Sequence, residues 1–324
     1  MSDVPRLEAA GLVKHFPARR GWFGSGPKAV RAVDGVSFSI RRGETLGLVG
    51  ESGCGKSTVG KLALKLIEPT AGKILLGGID VTKLGPAAMW EFRRHIQIVF
   101  QDPYSSLNPR LSAGTIVGEP LANFGIAAGA DKKERVAGLF ERVGLRAESM
   151  QKYPHEFSGG QRQRLGIAKA LAVNPDVIVA DEPVSALDVS MQAQVLNLLI
   201  DLQEEYQLSY LFISHDLAVM RHVSHRIAVM YLGRIVEVAE KRALFSSPLH
   251  PYTEALLSAA PIPDPKRKKS RRVILQGEVP SPLKPPSGCH FHPRCPYAVA
   301  ACKTNDPPLL EVEPGRHVAC ILRT

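Results

Sequence analysis

The sequence predicts an α/β fold: a largely parallel sheet with a β-rich N-terminal part, an inserted helical segment and a small irregular module at the C-terminus. Three observations point there. Apolar runs of strand length occur over residues 6–101 and return over 176–238. A long helical run joins two of the later strands, and strand–helix–strand in that order makes a parallel, right-handed crossover. Between the two sets, residues 103–170 carry helical patterns and no strand pattern.

The elements follow in order. "RLEAAGLVKHF", "AVDGVSFSI" and "TLGLVG" read as strands, the first two separated by a Gly/Pro-containing loop, "ARRGWFGSGPK". "TVGKLALKLI" reads as a helix with Leu62, Leu66 and Ile67 on one face. "GKILLGGIDV" reads as a hairpin turning on its glycine pair, and "HIQIVFQ" as a further strand. In the insert, "KKERVAGLFERVGL" is the clearest helix. "DVIVAD" and "SYLFIS" are strands joined by the helix "SMQAQVLNLLIDLQEEY", and "HRIAVM" and "GRIVEV" complete the set. Beyond residue 260, "APIPDPKRKKSRR" is proline-rich and basic, a linker by composition. The following "VPSPLKPPSGCHFHPRCPYAVAACK" has little regular periodicity. The expected organisation is a domain over residues 1–260, its helical insert at about 103–170, and an extension over 261–324. No internal repeat is visible.

A chain of 324 residues has room for one large domain and a smaller one. Hydrophobic content of 44% and charged content of 22% are those of a soluble globular protein. No apolar run reaches the roughly 18 residues that would span a bilayer, and the N-terminus lacks the apolar core of a signal peptide. The chain is therefore expected to remain in the cytosol. The formal charge of +10 and pI near 9.4 suit phosphates, nucleic acid or an anionic membrane surface. Six of the cations stand in seven positions of "KRKKSRR", residues 266–272, which reads as a solvated linker. Neither interleaved aromatics nor a reader module accompanies them, so no nucleic-acid partner is expected.

The chemistry begins at "GESGCGKST", residues 50–58, between an apolar strand and a helix. Gly50, Gly55, Lys56 and Ser57 fit the spacing G-x-x-x-x-G-K-[ST] of a phosphate-binding P-loop. Backbone N–H groups of Glu51, Ser52, Gly53, Cys54 and Thr58 belong to the same cradle, and the helix N-terminus adds a favourable dipole. Lys56 would reach the β- and γ-phosphates and the Ser57 hydroxyl would ligate Mg²⁺. The Cys54 thiol is incidental, because backbone supplies the contacts there. "VIVADEP" puts Asp181 and Glu182 at the exit of a hydrophobic strand, where a P-loop protein keeps a Mg²⁺-supporting aspartate followed by a carboxylate that can act on the attacking water. "FSGGQRQR", residues 157–164, places Ser158, Gly159, Gly160 and Gln161 at a helix start, a second anion cradle. One nucleotide does not need two cradles from one monomer. The second makes sense if it faces the ATP of another subunit.

"FSGGQ", "DEP", "SALD" and "ISHD" behind this P-loop resemble the ATP-binding subunits of ABC transporters over roughly residues 6–260. The resemblance implies a P-loop NTPase core of the RecA-like kind, acting as an ATPase with ATP and Mg²⁺. It further implies a head-to-tail dimer holding two ATP molecules, each between the P-loop of one subunit and Ser158–Gln161 of the other. Glu182 would be the general base, and His215 would contact the γ-phosphate through an imidazole N–H. Gln101 would sense Mg²⁺ and water, and Asp188 would lie at the dimer interface. Phe16 would lie against adenine, although an apolar residue at a strand end is also a core position.

With no spanning segment, such a chain would borrow its pore from membrane subunits. "QDPYSSLNPRLSAGTIVGEPL", "LFSSPLHPYTEALLSAAP" and "GEVPSPLKPPSGCHFHPRC" resemble the dipeptide/oligopeptide importer subfamily and extend the resemblance to nearly the whole chain. It implies a second, related ATPase, two permeases, an extracytoplasmic solute-binding protein and a peripheral place on the cytoplasmic face of the membrane. Nickel, opine and sugar importers share the subfamily. Cys289, Cys295, Cys302 and Cys320, spaced C-x₅-C-x₆-C-x₁₇-C, are open to three readings. They are four reduced thiols, a Zn²⁺ site helped by His290, His292 or His317, or the iron–sulfur (4Fe-4S) ligands implied by the subfamily. Disulfides are disfavoured in the cytosol. Soluble ABC ATPases of DNA repair or translation usually carry a coiled-coil insertion or two cassettes, and this chain has one P-loop and one signature. A P-loop kinase or GTPase would have no use for "SGGQ".

Overall fold

The computed structural model describes residues 4–17, 29–259, 275 and 277–324. The "ARRGWFGSGPK" loop and the proline-rich basic linker "APIPDPKRKKSRR" lie outside the described residues. From the N-terminus, β1 (Leu7–Pro17), β2 (Ala29–Ile40) and β3 (Thr45–Val49) precede α1 (Lys56–Ala63). β4 (Ala71–Leu76) turns at Gly77 and Gly78, both with positive φ, into β5 (Ile79–Asp80). Then come α2 (Pro86–Arg93), β6 (Ile96–Val99), α3 (Pro103–Ser106), α4 (Ala113–Asn123), α5 (Gly129–Arg142) and α6 (Gly159–Leu171). β7 (Val177–Asp181), α7 (Val189–Tyr206), β8 (Ser209–Ile213), α8 (Leu217–Val223), β9 (Arg226–Tyr231) and β10 (Arg234–Glu240) follow. α9 (Lys241–Ser246), α10 (Pro251–Ala259), β11 (Leu310–Glu313) and β12 (Arg316–Val318) close the chain.

These elements gather into two compact units. One takes the chain up to Leu7, Ile40–Glu44 and Leu76–Ile213. In it β7 lies between β6 and β8, parallel to both, so the strands joined by α7 are parallel as expected. β7 is buried from Val177 to Ala180 and surfaces at Asp181, which puts the acidic pair at the strand's C-terminal end. Helices joined by turns make up the insert's described residues, with no strand among them. Its α4 packs on α5 and α6, and Ile116, Val117, Leu121, Val136, Phe140 and Leu165 on these helices are all buried.

The other unit takes Glu8–Ser39, Thr45–Leu75 and Ser214 to the C-terminus. β3 runs parallel to β9, and β9 turns through Leu232 and Gly233, both at positive φ, into antiparallel β10. β12 then pairs antiparallel with β10, matching Glu237 with Val318, and β11 pairs with β12. These two tail strands are not legible in the sequence, because they are short and β11 is almost wholly exposed, which removes the apolar alternation. Phe291 from the tail is buried with Tyr231 and Tyr252, its ring centroid 5.2 and 5.4 Å from theirs.

One helix departs from expectation. α1 ends at Ala63 instead of continuing to Ile67: Lys65 adopts φ 50°, its N–H donates to Leu62 O, and the Leu66 N–H reaches back to Lys61 O. That is a Schellman stop built without glycine. Leu62 is buried as expected, but Leu66 is left exposed.

Candidate nucleotide site

β3 is buried at all five positions and delivers the chain straight into the glycine loop. The two glycines of the spacing rule are demanded by close approach. A Cβ on Gly50 would stand 2.2 Å from Met230 O, and one on Gly55 would stand 2.1 Å from Ala32 O. Gly55 also has φ 109°, outside the range comfortable for a side chain. Gly55 caps α1 without a side-chain acceptor, so the first-turn N–H groups keep their capacity for an anion. Lys56 is buried, its Nζ donating to Gly50 O at 2.8 Å and Glu51 O at 3.0 Å. Ser52, Gly53 and Ser57 are exposed, and Thr58 is half-buried. Burial raises the Cys54 thiol above its usual range despite neighbouring Lys56, in keeping with an unreactive position.

His215 lies in the same unit as the loop. Ser214 N–H donates to Leu48 O at 3.3 Å, so the exposed His215, the next residue, stands near the end of the strand that feeds the P-loop. Asp216 then caps α8 by accepting from Ala218 N–H at 2.7 Å. Phe16, at the end of β1, is 37% exposed and stands under the Lys14 ammonium, 5.2 Å from its ring centroid. It is not a core residue.

In the other unit Glu182 is held at φ 49° by its N–H to Ile213 O and by Ser185, whose N–H and hydroxyl both donate to Glu182 O. A left-handed glutamate is a costly backbone that a fold retains where it aims a side chain. Gln101 is exposed at the end of β6. Beside it, Phe100 O accepts from Nε2 of the buried Gln163 of α6 at 3.3 Å. The Gln101 turn is thereby tied to the helix that starts at the signature. Ser158 caps α6 with a reciprocal box: Gln161 N–H donates to its hydroxyl at 3.3 Å and Ser158 N–H donates to Gln161 Oε1 at 3.0 Å. Ser158, Gly159 and Gln161 are exposed, whereas Gly160 is buried against the Met191 side chain. Asp188 caps α7 by accepting from Met191 N–H at 2.9 Å and the Ser190 hydroxyl at 2.7 Å. These bonds, the one from Met191 foremost, hold its carboxyl below the ordinary carboxylate range. Val189 beside it is 82% exposed, apolar surface placed next to the expected interface residue.

The four tail cysteines are free thiols, and backbone joins two of them, Cys289 N–H donating to Cys302 O at 2.9 Å. Burial pushes the Cys289 thiol up to about 11 and raises Cys295 and Cys320 as well, with their neighbouring thiols adding to the effect. Among the described residues no three His, Cys, Asp or Glu side chains are gathered as a metal ion requires. The expectation of an iron–sulfur cluster or Zn²⁺ on Cys289, Cys295, Cys302 and Cys320 therefore finds no support: the thiols are neighbours but do not fit a coordination set.

Two residues that sequence reasoning missed bear on the P-loop. Glu51 N–H donates to Tyr252 Oη at 2.9 Å, and Arg294 of the tail grips the Glu51 carboxylate with both terminal nitrogens, at 2.8 and 3.0 Å. The hydrogen bond to Glu51 holds Arg294 firmly in its charged form. Only the position of Arg294 in "HPRC" was there to be noticed.

A P-loop and a second, independently built helix-start cradle in one chain are the marks of an ABC ATPase. The family described as ABC transporter matches residues 33–185, and that described as oligopeptide/dipeptide transporter, C-terminal region, matches residues 236–302. A probable peptide ABC transporter ATP-binding protein of Sinorhizobium fredii is 56% identical over 100% of this chain and 91% of its own length. The oligopeptide transport ATP-binding protein AppF of Bacillus subtilis is 52% identical over 98% of this chain and 97% of its own. Among solved structures, a dimeric ATP-binding cassette in a post-hydrolysis state, bound to ADP and Pi, superposes with TM-score 0.64 at 30% identity, covering 73% of this chain and 99% of that one. The chain belongs to the family of ATP-binding subunits of peptide ABC transporters.

Proposed function

We propose that this chain hydrolyses ATP to drive an importer of dipeptides or oligopeptides, as one of two ATPase subunits that clasp each nucleotide jointly. The observation that carries the proposal is the start of α6. Ser158 and Gly159 stand exposed at a helix N-terminus whose capping box engages the N–H groups of Ser158 and Gln161 but not those of Gly159 and Gly160, an anion cradle that the P-loop's own nucleotide does not need. The roles follow residue by residue. Backbone of residues 50–58 and Lys56 hold the phosphates, with Ser57, Gln101 and Asp181 around the Mg²⁺ that accompanies ATP. Glu182 takes the proton of the attacking water, and His215 donates to the γ-phosphate as charge develops there. Phe16 stacks on adenine, Ser158–Gln161 act on the partner's ATP, and Asp188 lies at the subunit interface. Phosphoryl transfer asks the protein for positioning and charge neutralisation, so assembling groups from two subunits gates the reaction.

Closure on ATP and reopening after hydrolysis is the mechanical stroke that two permease subunits would use, fed by an extracytoplasmic binding protein. No described helix is long and apolar enough to cross a membrane, which suits a peripheral subunit on the cytoplasmic face. The kinship with peptide and oligopeptide ATP-binding proteins supports peptides as cargo. Glu182→Gln should leave ATP binding intact, accumulate a closed dimer on ATP, and cut turnover by at least about a hundredfold, the scale of a lost general base. Normal turnover in that variant would refute the assignment. Uptake of labelled dipeptides by cells lacking the chain tests the cargo.

A further inference from the structure

Glu51, a P-loop residue, is held by the tail. Its carboxylate is bidentate with Arg294, its N–H donates to Tyr252 Oη, and its carbonyl accepts from Lys56 Nζ at 3.0 Å and from Cys54 N–H at 3.3 Å. Every polar group of this residue is thus engaged, two of them by the C-terminal part of the chain. Arg294 is itself built in. Its side chain is 8% exposed, its N–H donates to Phe291 O at 3.0 Å, and its guanidinium lies 6.0 Å from the Tyr231 ring centroid. Phe291 and Tyr252 pack on each other and on Tyr231, so the arm carrying the guanidinium and the hydroxyl that holds the Glu51 N–H share one aromatic frame.

Two consequences follow for a bound nucleotide. The Glu51 carbonyl is one of the two oxygens holding the buried Lys56 ammonium, so fixing Glu51 fixes where that ammonium waits. The Glu51 carboxylate is also a negative charge, partly exposed, in the loop that receives a polyanion, and like charges a few ångströms apart repel. A paired Arg294 cancels it.

We propose that Arg294 is a positioning residue for ATP: by pinning and neutralising Glu51 it sets both the geometry and the charge of the P-loop that the triphosphate meets. This rests on the reading of residues 50–58 as the ATP site, and the test separates the two. In the full-length chain, binding of a fluorescent ATP analogue with Mg²⁺ and steady-state ATPase are measured for the wild type, Arg294→Gln, Arg294→Lys, Glu51→Gln and the Glu51→Gln/Arg294→Gln pair. Arg294→Gln should weaken ATP binding about tenfold or more, the size of a lost charge-assisted pair, chiefly through KM. Higher salt should shrink the deficit, because exposed charge repulsion is screened. In the Glu51→Gln background the same change should cost less than about threefold, since the charge to be cancelled is gone. Arg294→Lys, which keeps charge and loses the fork, should fall between. If Arg294→Gln fails to fold, the Lys variant and the double variant carry the comparison. Unchanged affinity in Arg294→Gln, or an equal loss with and without Glu51, overturns the proposal. A wild type that binds no ATP overturns the nucleotide reading beneath it.

Discussion

Gly55→Ala tests whether the P-loop is held by its surroundings or only by its own sequence. The added Cβ would stand 2.1 Å from Ala32 O, 2.8 Å from Met230 Cε and 3.3 Å from Ala32 C. An ordinary carbon–oxygen approach is about 3.3 Å, so loop and strand must part by about 1 Å. Met230 Cε can swing aside, but Ala32 O is backbone of β2 and cannot. Overpacking of this kind costs about 1–3 kcal/mol. The φ of 109° adds a strain of similar size for a residue with a Cβ. Together, roughly 2–6 kcal/mol must appear as lost stability, as displaced loop and weaker ATP binding, or as both. Even about 2 kcal/mol taken wholly from binding is about a thirtyfold weaker affinity. Gly53→Ala is the internal control for stability: its φ of 78° is also unfavourable, but no atom lies within 4 Å of where its methyl carbon would stand. Thermal melting without nucleotide and titration with ATP, on both variants, are the assay. Gly55→Ala should melt lower than Gly53→Ala. A Gly55→Ala protein with wild-type melting and ATP affinity within about twofold would refute the reasoning.

Two further outcomes are expected. Phe291→Ala removes a side chain 1% exposed and in contact with three rings, so urea unfolding should show a loss of about 3–5 kcal/mol, whereas less than about 1 kcal/mol would mean that the tail is not part of the core. His250 is buried, accepts from Tyr252 N–H through Nδ1 at 3.1 Å, and is depressed by burial to about 3. Its unfolded value is near 6.5, so between these two pH values only the unfolded chain takes up the proton, and this residue's contribution to stability is lost as pH falls from about 6.5 toward 3. His250→Gln should flatten the acid side of the stability profile by up to about 1.4 kcal/mol per pH unit, and parallel profiles for wild type and variant would contradict it.

What the sequence shows plainly is whatever a short contiguous stretch must satisfy by itself. Residues 50–58 carry their own constraint: the glycines that permit close approach, the lysine and the hydroxyl are adjacent in the chain. The capping box of α6 needs only Ser158 and Gln161, three residues apart, and Asp188 likewise caps its own helix. The β7–α7–β8 crossover announces itself through periodicity. Where the decisive partner is distant, the signal disappears. Nothing local tells that Glu182 adopts a left-handed backbone or that Gln163 reaches Phe100 O, 63 residues earlier. α1 stops short of its apolar pattern because Lys65 takes the left-handed turn, where a glycine would have been visible as a stop signal.

The tail shows the same division most sharply. Composition marks the proline-rich basic stretch and the aperiodic residues beyond it, because both are properties of residues counted along the chain. It is blind to what those residues touch. Val318 and His317 face β10, Phe291 enters the aromatic cluster with Tyr231 and Tyr252, and Arg294 meets Glu51 across 243 positions of sequence. The first of these contacts extends a sheet, the second fills a core whose Tyr252 hydroxyl accepts from the Glu51 N–H, and the third holds the Glu51 carboxylate. Phe291 orients the turn that carries Arg294, and β12 returns the chain to the strand that leads out of the β9 hairpin. A substitution at Phe291 or Arg294 should therefore register at Glu51. Arg294→Gln should do so through charge, with little loss of stability beyond the pair itself. Phe291→Ala should do so through packing, with stability and ATP affinity falling together. That contrast separates a residue that positions the loop from one that merely supports it.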